Sequence, residues 1–347
     1  MIPYLIKRIV LAFFTVWAIS ILAWFVIQLP EGDLVDRYFE ALEQGGEVGA
    51  EDDQRRIEQM RKYLGYDGPI WLRYTNWVKN LLKGDLGRSF IGTLTGTTAG
   101  ARARQQPIKG MIGDRIWLTI VLTSFTIVVT WSFAIPIGIY SAVRQHSIGD
   151  YLFTTLGFTG LAVPDFLLGL VLMYVAYAYF DQSVGGLFSA NYEVAPWLDS
   201  GFNWKKLNDL LQHLWIPAIV LGTSGTAGLI RIMRNNLLDE LSKPYVITGR
   251  AKGVSSWRLI LKYPVRVASN PLISTIGYLL PSLVSGSVII SVVLSLPTVG
   301  PLLLSGIQQQ DSYLAGFIIL LLGTLTVAGT LISDICLAVA DPRIRLS

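Results

Sequence analysis

Six long apolar segments, separated by polar loops, constrain the fold of this chain more than any other feature of its sequence. A helix needs about 20 mostly apolar residues to cross the roughly 30 Å hydrocarbon core of a bilayer. With 52% hydrophobic and only 15% charged residues, the chain is also too apolar for an ordinary soluble protein. We predict an all-α integral membrane protein with six transmembrane helices, at 9–29, 116–143, 151–180, 214–230, 272–296 and 314–340.

The first apolar segment, 9–29, starts like a signal peptide because Lys7 and Arg8 precede it. Its apolar run is long for that role, and no small-residue cleavage site follows it, so we predict a retained membrane helix. The predicted organisation is an N-terminal transmembrane helix at 1–29, an extracytoplasmic cap region at 30–115, and a core of five transmembrane helices at 116–347 that contains a polar loop, 232–268.

The orientation in the membrane follows from the short loops, since Lys and Arg collect on the cytoplasmic side. With both termini inside, the inner segments hold 13 Lys and Arg residues, whereas the outer loop 181–213 holds two and the outer loop 297–313 none. The region 30–115 is also rich in these residues, but loops of that size translocate largely regardless of charge. We therefore predict that the loop 232–268 and both termini are cytoplasmic.

The polar loop 232–268 has the pattern of two short helices joined by a glycine. Ser242 and Pro244 are typical of a helix start, and Gly253 favours the left-handed conformation in which many helices end. We call residues 244–263 the knob.

The second helix of the knob is predicted from about Trp257 to Tyr263, with Ser255 as its cap. A competing interpretation is an amphipathic helix lying on the membrane surface. In that case, the apolar side chains of Trp257, Ile260 and Leu261 enter the lipid. The basic side chains of Arg258 and Lys262 meet the headgroups. The residues alone leave both interpretations open.

The cap region 30–115 contains clusters of both charges and a predicted amphipathic helix through Ile57, Met60 and Leu64. Two functions fit such a region. It either forms a lid over the outer mouth of the bundle or provides a docking surface for a partner, and the residues favour neither.

Catalytic chemistry is not indicated by the sequence. No Gly-x-x-x-x-Gly-Lys-Ser/Thr loop occurs, so the chain has no usual phosphate-binding loop of its own. The two histidines, His146 and His213, are predicted on opposite sides of the membrane, and Cys336 is the lone cysteine, so neither a catalytic triad nor a metal site is predicted. The net charge of +4 comes with no basic, aromatic-rich pattern typical of nucleic-acid binding.

Three features inside the predicted spans allow both a functional and a structural interpretation. Asp165, about 15 residues into the third span, either lines a translocation path or caps the backbone freed by Pro164. Asp334 is predicted to form a structural ion pair. Close helix packing is predicted for three glycines of the fourth span, which also permit that helix to tilt: Gly222, Gly225 and Gly228.

The knob resembles the cytoplasmic EAA loop of ABC transporter permeases, in the branch that imports peptides, nickel or oligosaccharides. The chain keeps the residues Tyr245, Val246, Thr248, Arg250, Ala251, Lys252, Gly253, Arg266, Ala268 and Pro271 of that pattern. It departs from the pattern at Pro244, Gly249, Tyr263 and Val267, where the family usually has Asp, Ala, His and Asn. The motif from Asp334 to Asp341-Pro-Arg is also similar to the end of these permeases.

The resemblance implies a type I ABC importer permease fold in the cell membrane of a bacterium or archaeon. It further implies a second homologous permease, two ATPase subunits that hold ATP and Mg, and an extracytoplasmic solute-binding protein, with no cofactor on this chain. Coupling to the ATPases would involve Tyr245, Thr248, Arg250, Ala251, Lys252, Gly253 and Ser255. Docking of the solute-binding protein would involve Asp33, Trp71, Asp85 and Arg88, and the translocation path Asp165 and Ser291.

An alternative from another class is a secondary transporter or channel that works without ATP. Such a protein is expected to show inverted repeats or several charges within its membrane helices, and the sequence shows neither. The cargo, whether a peptide, an oligosaccharide or a metal chelate, is not readable from the residues.

Overall fold

The computed structural model describes residues 2–28, 68–89, 106–180, 185–189, 203–309 and 311–340, together with a few isolated residues between these stretches. Its helices in chain order are α1 (Ile2–Gln28), α2 (Ile70–Leu82), α3 (Ile108–Val143), α4 (Ile148–Ala162), α5 (Asp165–Phe180), α6 (Trp204–Leu241), α7 (Pro244–Ala251), α8 (Ser256–Lys262), α9 (Pro264–Ala268), α10 (Asn270–Val293), α11 (Val299–Gln308) and α12 (Ser312–Ala340). A two-residue antiparallel pairing joins β1 (Arg88–Ser89) to β2 (Gln106–Pro107).

Within the described stretches, three helices are long and apolar enough to cross a membrane: Ile6–Phe25 of α1, Ile108–Val143 of α3 and Tyr313–Ala340 of α12. Two bent arrangements bring the number to five if each counts as one span. These are α4 with α5, and the two halves of α6. The remaining predicted span, 272–296, corresponds to α10, although most side chains in the middle of that helix lie outside the described residues.

The prediction of one continuous third span at 151–180 is wrong. The chain bends by 103° between α4 and α5, at Val163 and Pro164. Proline lacks a backbone N–H and disfavours helical geometry at the residue before it, and Val163 is accordingly extended, with φ −82° and ψ 126°.

The fourth span is much longer than the predicted 214–230, because α6 contains 38 residues. It begins within the predicted outer loop, where the Asn203 side chain accepts a hydrogen bond from the backbone N–H of Lys205 at 2.9 Å. It then continues through the first ten residues of the predicted cytoplasmic loop, to Leu241. Hydropathy detects only the apolar part of a helix, and both polar ends of α6 were therefore missed.

The described structure divides into two compact units. One contains residues 1–12, 117–297 and 325–347, and the other contains residues 13–116 and 298–324.

The first unit is built around α6. Leu229, Met233 and Leu237 of this helix are buried together with Ala268 of α9 and Leu272 of α10. A second apolar cluster, nearer the start of α6, includes Leu214, Val220, Ile290 and Leu294.

Close helix contact in the first unit depends on small residues. A Cβ on Gly138 of α3 would lie 2.7 Å from Cβ of Met233 and 3.1 Å from the carbonyl oxygen of Ile230. Of the three glycines predicted to pack closely on α6, Gly222 does so, because its Cβ would lie 2.7 Å from the Thr130 hydroxyl. At Gly225 and Gly228 the prediction is wrong, because no atom of the described residues lies within 4 Å of the position that a Cβ would take there.

Two arginine side chains contact α12 within the first unit. Arg8 Nη1 lies 3.1 Å from Asp334 Oδ2, which confirms the predicted ion pair. Arg266 donates two hydrogen bonds to the carbonyl oxygen of Ala340, at 3.2 and 3.0 Å, and so satisfies a backbone group at the end of α12.

The second unit has its own apolar cluster, which includes Ile108, Ile112, Val299, Leu302 and Leu314. Ser89 donates a hydrogen bond to Asp311 at 2.6 Å, and both side chains are fully buried. The helix α2 packs on α1 through Trp77 and Trp24, whose ring centroids are 5.2 Å apart.

The contact at Gly138 predicts the outcome of a single methyl addition. Gly138→Ala forces Cβ against Met233 and is expected to destabilise the protein by about 1–3 kcal/mol. Gly225→Ala adds the same methyl group on another membrane helix but meets open space. Thermal unfolding in detergent should show a lower Tm for Gly138→Ala than for Gly225→Ala, and equal Tm values would contradict the close contact.

Candidate functional site

The first helix of the knob, α7, begins at Pro244, where a missing N–H costs nothing and the fixed φ suits a helix. The prediction that Ser242 opens this helix is wrong. Ser242 is the C-terminal cap of α6, and the residue before α7 is Lys243.

Gly253 ends this helix as predicted, with a φ of +74°. The N–H of Gly253 bonds to the carbonyl of Arg250 at 3.0 Å, and the N–H of Val254 bonds to that of Gly249 at 3.3 Å. This pair of bonds is the Schellman motif, in which a left-handed residue satisfies the last carbonyls of a helix. The turn therefore fixes the direction in which the chain leaves α7.

The second helix of the knob, α8, begins one residue before the predicted start. Ser255 occupies the capping position, but its side chain makes no capping hydrogen bond, so that part of the prediction is wrong. The short helix α9, which starts at Pro264, was not predicted from the sequence, although a proline at a first helical position is a recognisable signal.

The two knob helices meet at Gly249. A Cβ there would lie 2.5 Å from Cδ1 of Leu259, whose residue is only 2% exposed. Glycine at this position, where the resembling family usually has alanine, thus makes room for the leucine of α8.

A polar network joins the knob to the end of α6. The carboxylate of Glu240 accepts hydrogen bonds from Lys243 Nζ and from the Tyr245 hydroxyl, the latter at 2.6 Å. Partial burial and this hydrogen bond raise the pKa of the Tyr245 hydroxyl, so it stays protonated as a donor at neutral pH. Sequence reasoning missed Glu240, since nothing in the chain order marks it as the partner of Tyr245.

The outer surface of the knob combines apolar and basic side chains. Its large exposed apolar residues are Tyr245, Ile247, Val254, Trp257, Leu261 and Tyr263. Its exposed charged residues are Arg250, Lys252, Arg258 and Lys262, and Thr248, Ala251, Gly253 and Ser255 are exposed too. Ile260, which the membrane-surface interpretation places in lipid, is instead only 5% exposed and packs inside the protein.

The helix α9, which follows the knob, connects it to the membrane helices. In α9, Ala268 is buried in the cluster that contains Met233 and Leu237 of α6, and Val265 packs against the same cluster. Arg266 donates hydrogen bonds to the carbonyl oxygen of Ala340, the last residue of α12. The knob is thus an exposed protrusion whose base is anchored in the apolar core.

Three of the four predicted docking residues are described, and they lie in the second unit. Trp71 in the first turn of α2 is 65% exposed, and Asp85 accepts a hydrogen bond from the N–H of Gly87 at 2.9 Å. Arg88 pairs with Pro107 through its backbone. Asp33 lies outside the described residues.

The two predicted path residues have different surroundings. Asp165 is half-buried and is the first residue of α5, at the bend, rather than in the middle of a helix. An acidic residue is favourable in that first turn because of the helix dipole. Ser291 of α10 is fully buried within this chain.

Comparison with known proteins assigns a family to this arrangement. Residues 134–346 match the family described as binding-protein-dependent transport system inner membrane component. The chain belongs to this family.

Relatives named as permeases match this member of the family over most of its length. It is 31% identical over 345 residues to the oligopeptide transport system permease protein AppB of Bacillus subtilis, covering 99% of this chain and all of the relative. It is 32% identical over 295 residues to the oligopeptide transport system permease protein OppB of Mycobacterium tuberculosis, covering 85% and 86%.

Membership of the binding-protein-dependent family confirms the predicted type I ABC importer permease fold and its role as a transmembrane permease subunit. Proteins of this family are inner-membrane components with several membrane-spanning helices and work within ABC importer complexes. The alternative of an ATP-independent secondary transporter or channel is not favoured.

The contact between Gly249 and Leu259 predicts a pair of coupled substitutions. Gly249→Ala alone displaces the buried leucine and is expected to destabilise the knob by about 1–3 kcal/mol. In a Leu259→Val background, Cδ1 is absent, so the better helix propensity of alanine, worth about 1 kcal/mol, should make the same change neutral or favourable. Hydrogen exchange of residues 244–263 in the purified protein measures both effects, and an equal loss in both backgrounds would refute the contact.

Proposed function

We propose that this permease forms half of the translocation path of an ATP-driven peptide importer and that the knob couples it to an ATPase subunit. The supporting observation is the knob itself, an exposed pair of helices whose base, α9, is buried against α6. The peptide cargo is proposed because the relatives AppB and OppB are named as oligopeptide transport permeases.

The proposed complex contains a second homologous permease, two ATPase subunits and an extracytoplasmic solute-binding protein. ATP and Mg would bind to the ATPase subunits, since the sequence of this permease lacks the usual phosphate-binding loop. Both termini and the knob would lie in the cytoplasm, on the side where Lys and Arg collect in the short loops.

Coupling here means that ATP binding and solute passage bias one shared equilibrium between two states of the permease. Closure of the ATPase pair would pull on the exposed face of the knob, through side chains such as Tyr245, Ile247 and Trp257. The Glu240 network and the Gly249 contact stiffen the knob, so a pull on it moves α6 and α9 instead of deforming the loop. Hydrolysis would then reset the complex.

The remaining sites are proposed from the resemblance. Asp165 and Ser291 would face the path in the assembled complex. The cap region 30–115, which separates the helix at 1–29 from the core at 116–347, would receive the solute-binding protein. Its contacts would involve Asp33, Trp71, Asp85 and Arg88.

Substitutions at the turn of the knob test the coupling. Gly253→Pro forces a negative φ at a residue whose φ is +74°. Ala251→Glu places a carboxylate on the exposed face of the knob, which is proposed to contact the ATPase. Each is expected to lower ATP-driven transport in proteoliposomes at least tenfold while the chain still inserts into the membrane. Gly253→Asn is the matched control, because asparagine tolerates the left-handed conformation and should keep most of the transport.

Two results would overturn the proposal. The first is normal transport by both Gly253→Pro and Ala251→Glu. The second is labelling of Lys252→Cys, in a Cys336→Ser background, by an impermeant thiol reagent added outside intact cells. Co-purification of ATPase subunits with the wild-type chain, lost in Ala251→Glu, would support docking over a membrane-surface role for the knob.

A further inference from the structure

A cavity of about 360 Å³ lies between α4 and the second half of α6, near the predicted cytoplasmic ends of both helices. Its lining combines aromatic and apolar side chains with a group of polar and basic ones. The polar group contains His146, Asp150, Arg231, Arg234 and Asn235.

The charges around this cavity leave it basic. Arg234 binds both carboxylate oxygens of Asp150, with Nε and Nη2 each at 3.0 Å, and the backbone N–H of His146 adds a third bond at 3.0 Å. The Asp150 charge is therefore neutralised. Arg231 lies 5.3 Å from the centroid of the Phe158 ring, and it makes no ion pair within the described parts of the chain.

A second cavity, of about 300 Å³, adjoins the first. The two share Phe153, Gly157, Ala227 and Ile230 as lining residues. The second is mostly apolar, and the hydroxyls of Thr223 and Thr226 in its wall already donate to carbonyls of their own helix. The lining thus changes from basic to apolar along one continuous groove.

We propose that this groove binds an anionic phospholipid, with its phosphate at Arg231 and Asn235 and an acyl chain extending past Phe153 into the second cavity. Basic pockets between membrane helices on the cytoplasmic side suit such headgroups. A peptide would fit the same groove poorly, because the wall of the second cavity offers few partners for its backbone N–H and carbonyl groups. This inference does not depend on the proposed ATPase coupling.

Gly228 provides the room for the headgroup. It lines the first cavity, and a Cβ added to it would meet nothing within 4 Å. Gly225, one turn earlier on α6, has equally open space but is not among the described lining residues of either cavity. These two glycines offer a matched pair of substitutions.

The test uses the assembled importer, purified and stripped of lipid, with native mass spectrometry to count retained lipids. Phosphatidylglycerol and phosphatidylcholine with identical acyl chains are added in turn. We expect at least tenfold stronger retention of phosphatidylglycerol, and a tenfold loss of that preference in Arg231→Gln. Lys205→Gln removes an exposed charge at the opposite end of α6, outside the groove and the knob, and should leave the preference unchanged.

The glycine pair tests the shape of the site. Gly228→Leu fills the first cavity and should abolish selective retention, whereas Gly225→Leu should not. Equal retention of both lipids, or retention unaffected by Arg231→Gln and Gly228→Leu, would overturn the proposal. Displacement of phosphatidylglycerol by millimolar inorganic phosphate would instead assign the site to a free anion, and a cross-link from Gly228→Cys to the second permease would assign the groove to a protein interface.

Discussion

At Gly138, α3 and α6 approach so closely that an added Cβ would lie 2.7 Å from Cβ of Met233, a residue of the apolar cluster of the first unit. In a membrane, helices gain little from hiding apolar surface, so they associate through close packing and polar contacts. Here α6 uses both, with Met233 and Leu237 in the apolar cluster and Arg234 paired to Asp150. The helix α6 is therefore the central element of the first unit.

The helix α6 also connects the membrane part of the permease to the knob. Its final turn contains Glu240, which holds Tyr245 and Lys243, and its flank contacts Ala268 of α9. A force applied to the knob reaches the membrane helices through two connections. One is the backbone at Leu241, and the other is the packing of α9 side chains on α6. Two connections resist rotation better than one, which suits the coupling role proposed for the knob.

Much of this architecture was predictable from the sequence, because hydropathy locates apolar helices and Gly253 has few alternatives to a left-handed turn. An ion pair at Asp334 was also predicted, but its partner, Arg8, was identified only by the structure. The sharp bend at Pro164, the polar ends of α6 and the Glu240 network did not follow. The bend and the start of α6 have local causes, Pro164 and the Asn203 cap, which an apolar pattern does not show. The Glu240 network depends on how the chain turns between Glu240 and Tyr245, which a charge pattern does not show.

The bend at Pro164 leaves two short helices where a single continuous span was predicted. At about 1.5 Å per residue, the 15 residues of α4 extend about 22 Å and the 16 of α5 about 24 Å, both less than the hydrocarbon thickness. Each half has its own attachment, Gly160 against Thr223 for α4 and Gly169 against Leu294 for α5. Neither half is therefore long enough to cross the hydrocarbon core by itself, and the two halves are held by contacts with different elements of the first unit.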